Sequence, residues 1–176
     1  MTYTYVRSAI AIVAVAIAAL AFAAASQADG KHGSQRLVVR GDATIVDGPG
    51  GPDGIPLSIV DGSFRGAPIG TGAYEGKMKL EVGKLFDNGE GGVCAPMRGQ
   101  IVLGAGSPDR LVLAVAGDSC QDGAGPPPLS SFTGIAEFVV KKGTGKYAGY
   151  RGAGLATFSE DAADHDRMTL IGRISR

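Results

Sequence analysis

The densest collection of reactive side chains is Ser159-Glu160-Asp161-Ala162-Ala163-Asp164-His165-Asp166, which packs four carboxylates and one imidazole into eight residues. Oxygen donors of this kind suit calcium, and an imidazole would extend the choice to transition metals. The spacing lacks the Asp-x-Asp-x-Asp-Gly order of an EF-hand loop. A solvated hairpin loop between two strands carries the same charge density, and that is the reading adopted; no metal site and no cofactor are assigned. Glu160 and Asp164 could be imagined as a glycosidase pair. Both lie in one loop, however, and the chain has no Trp on which a sugar could stack.

Other chemistries fail on missing partners. A serine hydrolase needs Ser, His and an acid in concert, but His32 and His165 are the only histidines and no Gly-x-Ser-x-Gly elbow occurs. Gly-Thr-Gly occurs twice, yet the residues after Gly145 (Lys-Tyr-Ala-Gly-Tyr-Arg-Gly-Ala-Gly) cannot open the helix that a dinucleotide pyrophosphate requires. In Gly72-Ala-Tyr-Glu-Gly76-Lys77 the P-loop spacing is one residue short, and Met78 stands where a magnesium-binding hydroxyl would be needed. No catalytic residue is assigned, and the reading leans against an enzyme.

Two cysteines remain, Cys94 and Cys120, each in a Gly/Asp-rich turn sequence. Neither forms a C-x-x-C or has a His nearby. The N-terminus suggests what they do. Arg7 is the only charge before an uncharged, Ala-rich run from Ser8 to Ala25, and Ser26-Gln27-Ala28 places small residues at −3 and −1 of a signal-peptidase site. Residues 1–28 read as a cleaved export signal and 29–176 as the mature domain, secreted or periplasmic, with no stable membrane insertion once the signal is removed. The run is at the lower length limit of a membrane anchor, which is the competing reading. In an exported chain two cysteines most simply pair, so a Cys94–Cys120 disulfide is expected.

The elements that must carry these residues are short strands. Residues 36–40, 55–60, 74–85, 100–103, 110–115, 132–141, 147–158 and 167–174 carry β signals separated by turn residues. Met78, Leu80 and Val82 share one face of their segment, and Met168, Leu170 and Gly172 alternate with Thr169, Ile171 and Arg173. Lys77, Lys79, Glu75 and Glu81 then fall on a solvated outer face. Residues 104–109, 47–54, 87–92 and 123–128 read as turns or stiff connectors. Twenty-nine glycines argue against helices and, lacking a three-residue period, against collagen. Glycines inside strands, such as Gly149, Gly152 and Gly154, suit the strong coiling of a barrel. The expected fold is all-β: a single antiparallel eight-stranded barrel.

Gly70-Thr-Gly-Ala-Tyr74-Glu-Gly76 reappears as Gly143-Thr-Gly-Lys-Tyr147-Ala-Gly149. Either the chain has two halves of similar layout, or one kind of turn was needed twice. The second copy, continuing as Tyr150-Arg151-Gly152, resembles the Gly-[Thr/Ser]-Gly-x-[Phe/Tyr]-x-x-Gly run of the allene oxide cyclase-like barrel group, which includes the dirigent proteins. That resemblance implies an eight-stranded antiparallel barrel, often oligomeric, with a cavity for an apolar small molecule. The motif covers about ten residues and is structural, so no catalytic role is carried over from it. Tyr147, Tyr150 and Arg151, in or just after the motif, are the candidate ligand-binding residues; Tyr packing with a hydroxyl at the rim is the alternative.

Charge excludes one partner class. Lys+Arg and Asp+Glu are both 17, and loss of Arg7 with the signal leaves one negative charge in excess, so a nucleic-acid partner is not expected. Three readings remain: a barrel that binds a small apolar or aromatic molecule, which is preferred; a cyclase- or dirigent-type enzyme on the same barrel; and a ligand-free structural envelope protein. Assembly into a homo-oligomer is compatible with each. An apolar cavity would favour the first, and an ionisable group buried within that cavity, with a displaced pKa, the second.

Overall fold

A computed structural model describes residues 33–89, 92–121, 132–160 and 165–176. The export signal, the proline run at 126–128 and most of the acidic stretch before His165 lie outside the described residues.

Among the described residues nine strands follow one another: β1 (Gln35–Asp47), β2 (Ile55–Ala67), β3 (Gly70–Leu80), the two-residue β4 (Phe86–Asp87), β5 (Val93–Leu103), β6 (Leu111–Gln121), β7 (Phe132–Gly143), β8 (Arg151–Glu160) and β9 (His165–Ser175). They pair antiparallel in the order β3-β2-β1-β9-β8-β7-β6-β5-β4, and β3 also pairs with β5. This last ladder, from Tyr74 opposite Leu103 to Leu80 opposite Met97, closes an eight-stranded barrel, with β4 an appendage on β5. Closure satisfies every long strand on both edges. Each of the eight expected segments holds a strand, although 82–84 and Tyr147, expected as strand, lie in 3-10 turns instead. Several run further than their apolar stretches, because residues such as Gly41, Gly66 and Gly117 interrupt the apolar pattern without interrupting the ladder.

Period-2 alternation sorts the side chains. Leu37 and Val39 (β1), Leu57, Ile59 and Phe64 (β2), Tyr74 and Met78 (β3), Met97, Ile101 and Leu103 (β5), Leu111, Leu113 and Val115 (β6), Ala136 and Phe138 (β7), Ala156 and Phe158 (β8), and Met168, Leu170 and Ile174 (β9) form one buried cluster. Large side chains lie over glycines on neighbouring strands. A methyl group on Gly154 would meet Phe138 Cε1 at 2.7 Å, and one on Gly172 would meet Phe138 Cζ at 2.8 Å. Phe138 thus fills the space that β8 and β9 leave by carrying no side chain there.

The phase of β2 changes once. Leu57 and Ile59 face inward, then Gly62 and Phe64 do, and the ladder with β3 shifts between Ile59 and Gly62. The β1 ladder shifts at the same level, between Asp42 and Thr44, and Asp61 adopts φ 53°. This is a β-bulge, with Asp at the left-handed position that Asp tolerates better than most residues.

The expected disulfide is present. Cys94 and Cys120 are direct register partners on β5 and β6, bonded with their Cα atoms 4.0 Å apart. Such bonds persist in oxidising compartments. No helix among the described residues is long and apolar enough to cross a membrane.

Candidate functional site

The bulge lies beside the one hydrogen-bonded pair of buried side chains among the described residues. Tyr74 enters from β3, opposite Gly62 of β2. Its ring runs sideways across β2 and β1: methyl groups on Gly62 and Gly41 would meet it at 2.6 Å and 2.8 Å. Two glycines on adjacent strands therefore clear a lane for one phenol. At the end of that lane the Tyr74 hydroxyl donates to Asp166 Oδ2 of β9 at 3.3 Å. Asp166 stands opposite Ala43 of β1, two residues before Met168, so it continues the inward series Met168, Leu170, Gly172 and Ile174.

Asp166 is fully buried (0% exposed), and its second oxygen, Oδ1, has no hydrogen-bond partner. Burial, chiefly, raises its pKa to about 6; the negative charge of Asp42, on the outer face of β1, pushes the same way, and the bond from Tyr74 opposes. The Tyr74 hydroxyl is driven far above its ordinary range by burial first, then by the charge of Asp166.

Glu81 is the other buried carboxyl among the described residues, and the contrast is informative. Lys84 and Arg98 each approach it to 2.6 Å. The hydrogen bond from Lys84, ahead of the charge of Arg98, holds its pKa below the usual range. Glu81 is a satisfied structural ion pair at the barrel's edge. Asp166 has no cation beside it among the described side chains.

The acidic stretch is thereby divided. Asp161 and Asp164 are outside the described residues, and for Glu160 and His165 only the backbone is described. Asp166 does not belong to a solvated loop as expected; β9 begins at His165, which puts Asp166 in the inward phase. No group of three or more potential metal ligands occurs among the described residues.

The residues expected to bind a ligand lie at the opposite end of the barrel. Tyr147 sits in a 3-10 turn between β7 and β8, buried, and its hydroxyl donates to the carbonyl of Ile69 at 2.8 Å. It plugs that end. Tyr150 packs edge-on against it, ring centres 5.8 Å apart, and is half-buried, while Arg151 is exposed. The structure brings the two tyrosines together and leaves Arg151 outside them.

The rest of the motif is turn chemistry. Thr144 Oγ1 accepts from the Arg110 amide at 3.1 Å and donates to the Pro108 carbonyl at 2.7 Å. Asp109 Oδ1 accepts from the Lys146 amide at 2.9 Å. Gly145, at φ 57°, lets this turn close on Asp109. The two motif copies have different conformations: Gly70–Tyr74 is plain strand, whereas Gly145–Tyr147 is the 3-10 turn.

No family model, curated protein or solved structure matches this chain. The eight-stranded antiparallel barrel is the part of the sequence resemblance that the fold carries.

Proposed function

We propose that this protein is an exported binding barrel for a small apolar or aromatic molecule, held at the end where β8 meets β9. One observation carries the reading: a carboxyl buried inside an otherwise apolar barrel, with Oδ1 of Asp166 unpartnered. Buried polar atoms are almost always paired, and an exception asks for a ligand or a water. The bulge beside it supports the reading, since bulges concentrate where a side chain must be re-aimed. The disulfide supports export. Affiliation with the allene oxide cyclase-like group rests on the Gly143–Gly152 motif together with the barrel. Tyr150 and Arg151 would form a second, rim-like contact surface at the far end, with Tyr147 behind them.

An acid–base enzyme is the second reading, because the pKa of Asp166 is raised to about 6, near a working pH. Native mass spectrometry of the mature protein from its own envelope or culture fraction tests the binding reading. Extra mass that leaves on denaturation, and that is lost in Asp166→Asn, is expected. A bare chain at every protein concentration would shift the assignment to a structural envelope protein.

A further inference from the structure

We infer that the ligand of this barrel is a protonated amine with a small apolar body, its ammonium group hydrogen-bonded to Asp166 Oδ1. The inference rests on the binding reading above and names the chemistry that the site selects.

The first argument is charge. A carboxylate withdrawn from water needs a cation or it neutralises itself. Glu81 meets this need with Lys84 and Arg98. Asp166, more deeply buried than Glu81, meets no cation among the described side chains, and Asp42 adds further negative charge from the outer face of β1. The missing positive charge is the feature a ligand would bring.

The second argument is hydrogen bonding. Tyr74 already supplies a neutral donor to Oδ2. A second neutral donor on Oδ1 would leave the buried charge uncompensated. An ammonium compensates it and supplies the donor in one group.

The third argument is the donor count. A bare metal ion takes several oxygen ligands, six to eight for calcium. Among the described residues a single buried carboxylate oxygen is free here, and the phenol is occupied as a donor. An ammonium asks for fewer acceptors than a metal: Asp166 Oδ1 takes one of its three N–H donors, the lone pairs of the Tyr74 oxygen take another, and its body meets apolar walls. By register those walls are Ala43, Met168 and Phe158, all buried. Met168 is a flexible, polarisable side chain that can yield to a guest. Its Cε atom now occupies the space over Gly41, where a methyl group would meet it at 3.2 Å.

The test titrates the disulfide-bonded protein with 2-phenylethylamine and its uncharged isostere 2-phenylethanol at pH 7.5, with methylamine and benzylamine to vary the body. Calorimetry gives the affinities, and the Met168 methyl resonance reports binding at this position. The amine should bind at least tenfold more tightly than the alcohol and shift Met168. Asp166→Asn should abolish the preference, and Asp42→Asn, which leaves the internal pair in place, should retain it. Dispersed NMR spectra of both variants establish that they fold. Equal binding of amine and alcohol at Met168 would overturn the ammonium inference and leave a binding barrel standing. An amine preference that persists in folded Asp166→Asn would also overturn it. Absence of binding by every probe would overturn both.

Discussion

The hydroxyl of Tyr74 reaches across two strands to Asp166, 92 residues further along the chain, and this is the only hydrogen bond between two buried side chains among the described residues. It couples β3 to β9 through the barrel interior, over the two glycines that make room for the ring. Tyr74→Phe keeps the ring and removes the donor. Above pH 7, where Asp166 is ionised, the loss should be about 2 kcal/mol, as for a hydrogen bond to a charged group. Near pH 4.5 the carboxyl is protonated and the loss should fall to about 1 kcal/mol, a neutral pair. Urea unfolding at the two pH values measures both. An equal loss at each would mean that the bond does not depend on the charge of Asp166.

The same carboxyl sets a pH dependence of unusual sign. Its folded pKa, about 6, lies above the ordinary 3.8, so between these values the folded state holds a proton that the unfolded state has released. Its contribution to stability is present in full below about pH 4 and is lost as pH rises through 6. A shift of roughly two units corresponds to about 3 kcal/mol. Among the described side chains, Tyr74 from β3 and Asp42 from β1 are the titratable groups that act on it. Because other carboxylates also titrate, the quantity to measure is the stability of the native protein minus that of Asp166→Asn. That difference should fall by up to about 3 kcal/mol from pH 4 to pH 8. In a Tyr74→Phe background the fall should move to higher pH, since the hydroxyl favours the charged form. A difference that stays constant with pH would contradict the burial of a titrating Asp166.

Much of this architecture could be read from alternation alone. The inward series Met168, Leu170, Gly172 is plain in the sequence, and one step back along it reaches Asp166. The step is hidden because Asp166 is also the last residue of an acidic run, where composition suggests a loop. Tyr74 likewise extends the Met78 and Leu80 face backwards. What one strand cannot reveal is that Tyr74 and Asp166 meet. That depends on the β2–β1–β9 order, on the bulge at Asp61 and on glycines in two neighbouring strands. The Gly-Thr-Gly-x-Tyr repeat misleads for a related reason. The same residues make a strand at Gly70–Tyr74 and a turn at Gly145–Tyr147, because Asp109 and Pro108 wait beside the second copy.

The disulfide should matter at the level expected of its loop. Cys94 and Cys120 are 26 residues apart, and the strands they join already pair. Restricting the unfolded chain should contribute roughly 3–4 kcal/mol. The double variant Cys94→Ala, Cys120→Ala should lose that amount in urea unfolding, and reduction of the native protein should reproduce most of the loss. A loss below about 1 kcal/mol would show that the β5–β6 ladder restricts the unfolded chain without the bond.

Phe138 and the glycines facing it give the sharpest packing test. Gly154 lies in β8 beneath Phe138 and against β9, where an added methyl would stand 2.6 Å from Gly172 Cα and 2.7 Å from Phe138 Cε1. One of these neighbours is backbone held in a ladder, so it cannot yield as a flexible side chain would. Phe138 is fully buried. Overpacking of this kind costs about 1–3 kcal/mol, and the backbone contact places Gly154→Ala at the upper end. Gly51, in the β1–β2 connection, has nothing within 4 Å of an added methyl. Gly51→Ala should therefore change stability by no more than about 0.5 kcal/mol, as an exposed substitution does. Thermal melts of the two variants against the parent separate packing from any general effect of replacing glycine. If Gly154→Ala melts with Gly51→Ala, the barrel has slack around Phe138. The interior would then be soft enough to admit a guest without moving Met168, and the entry of a ligand at Asp166 would have to be sought along β8 instead.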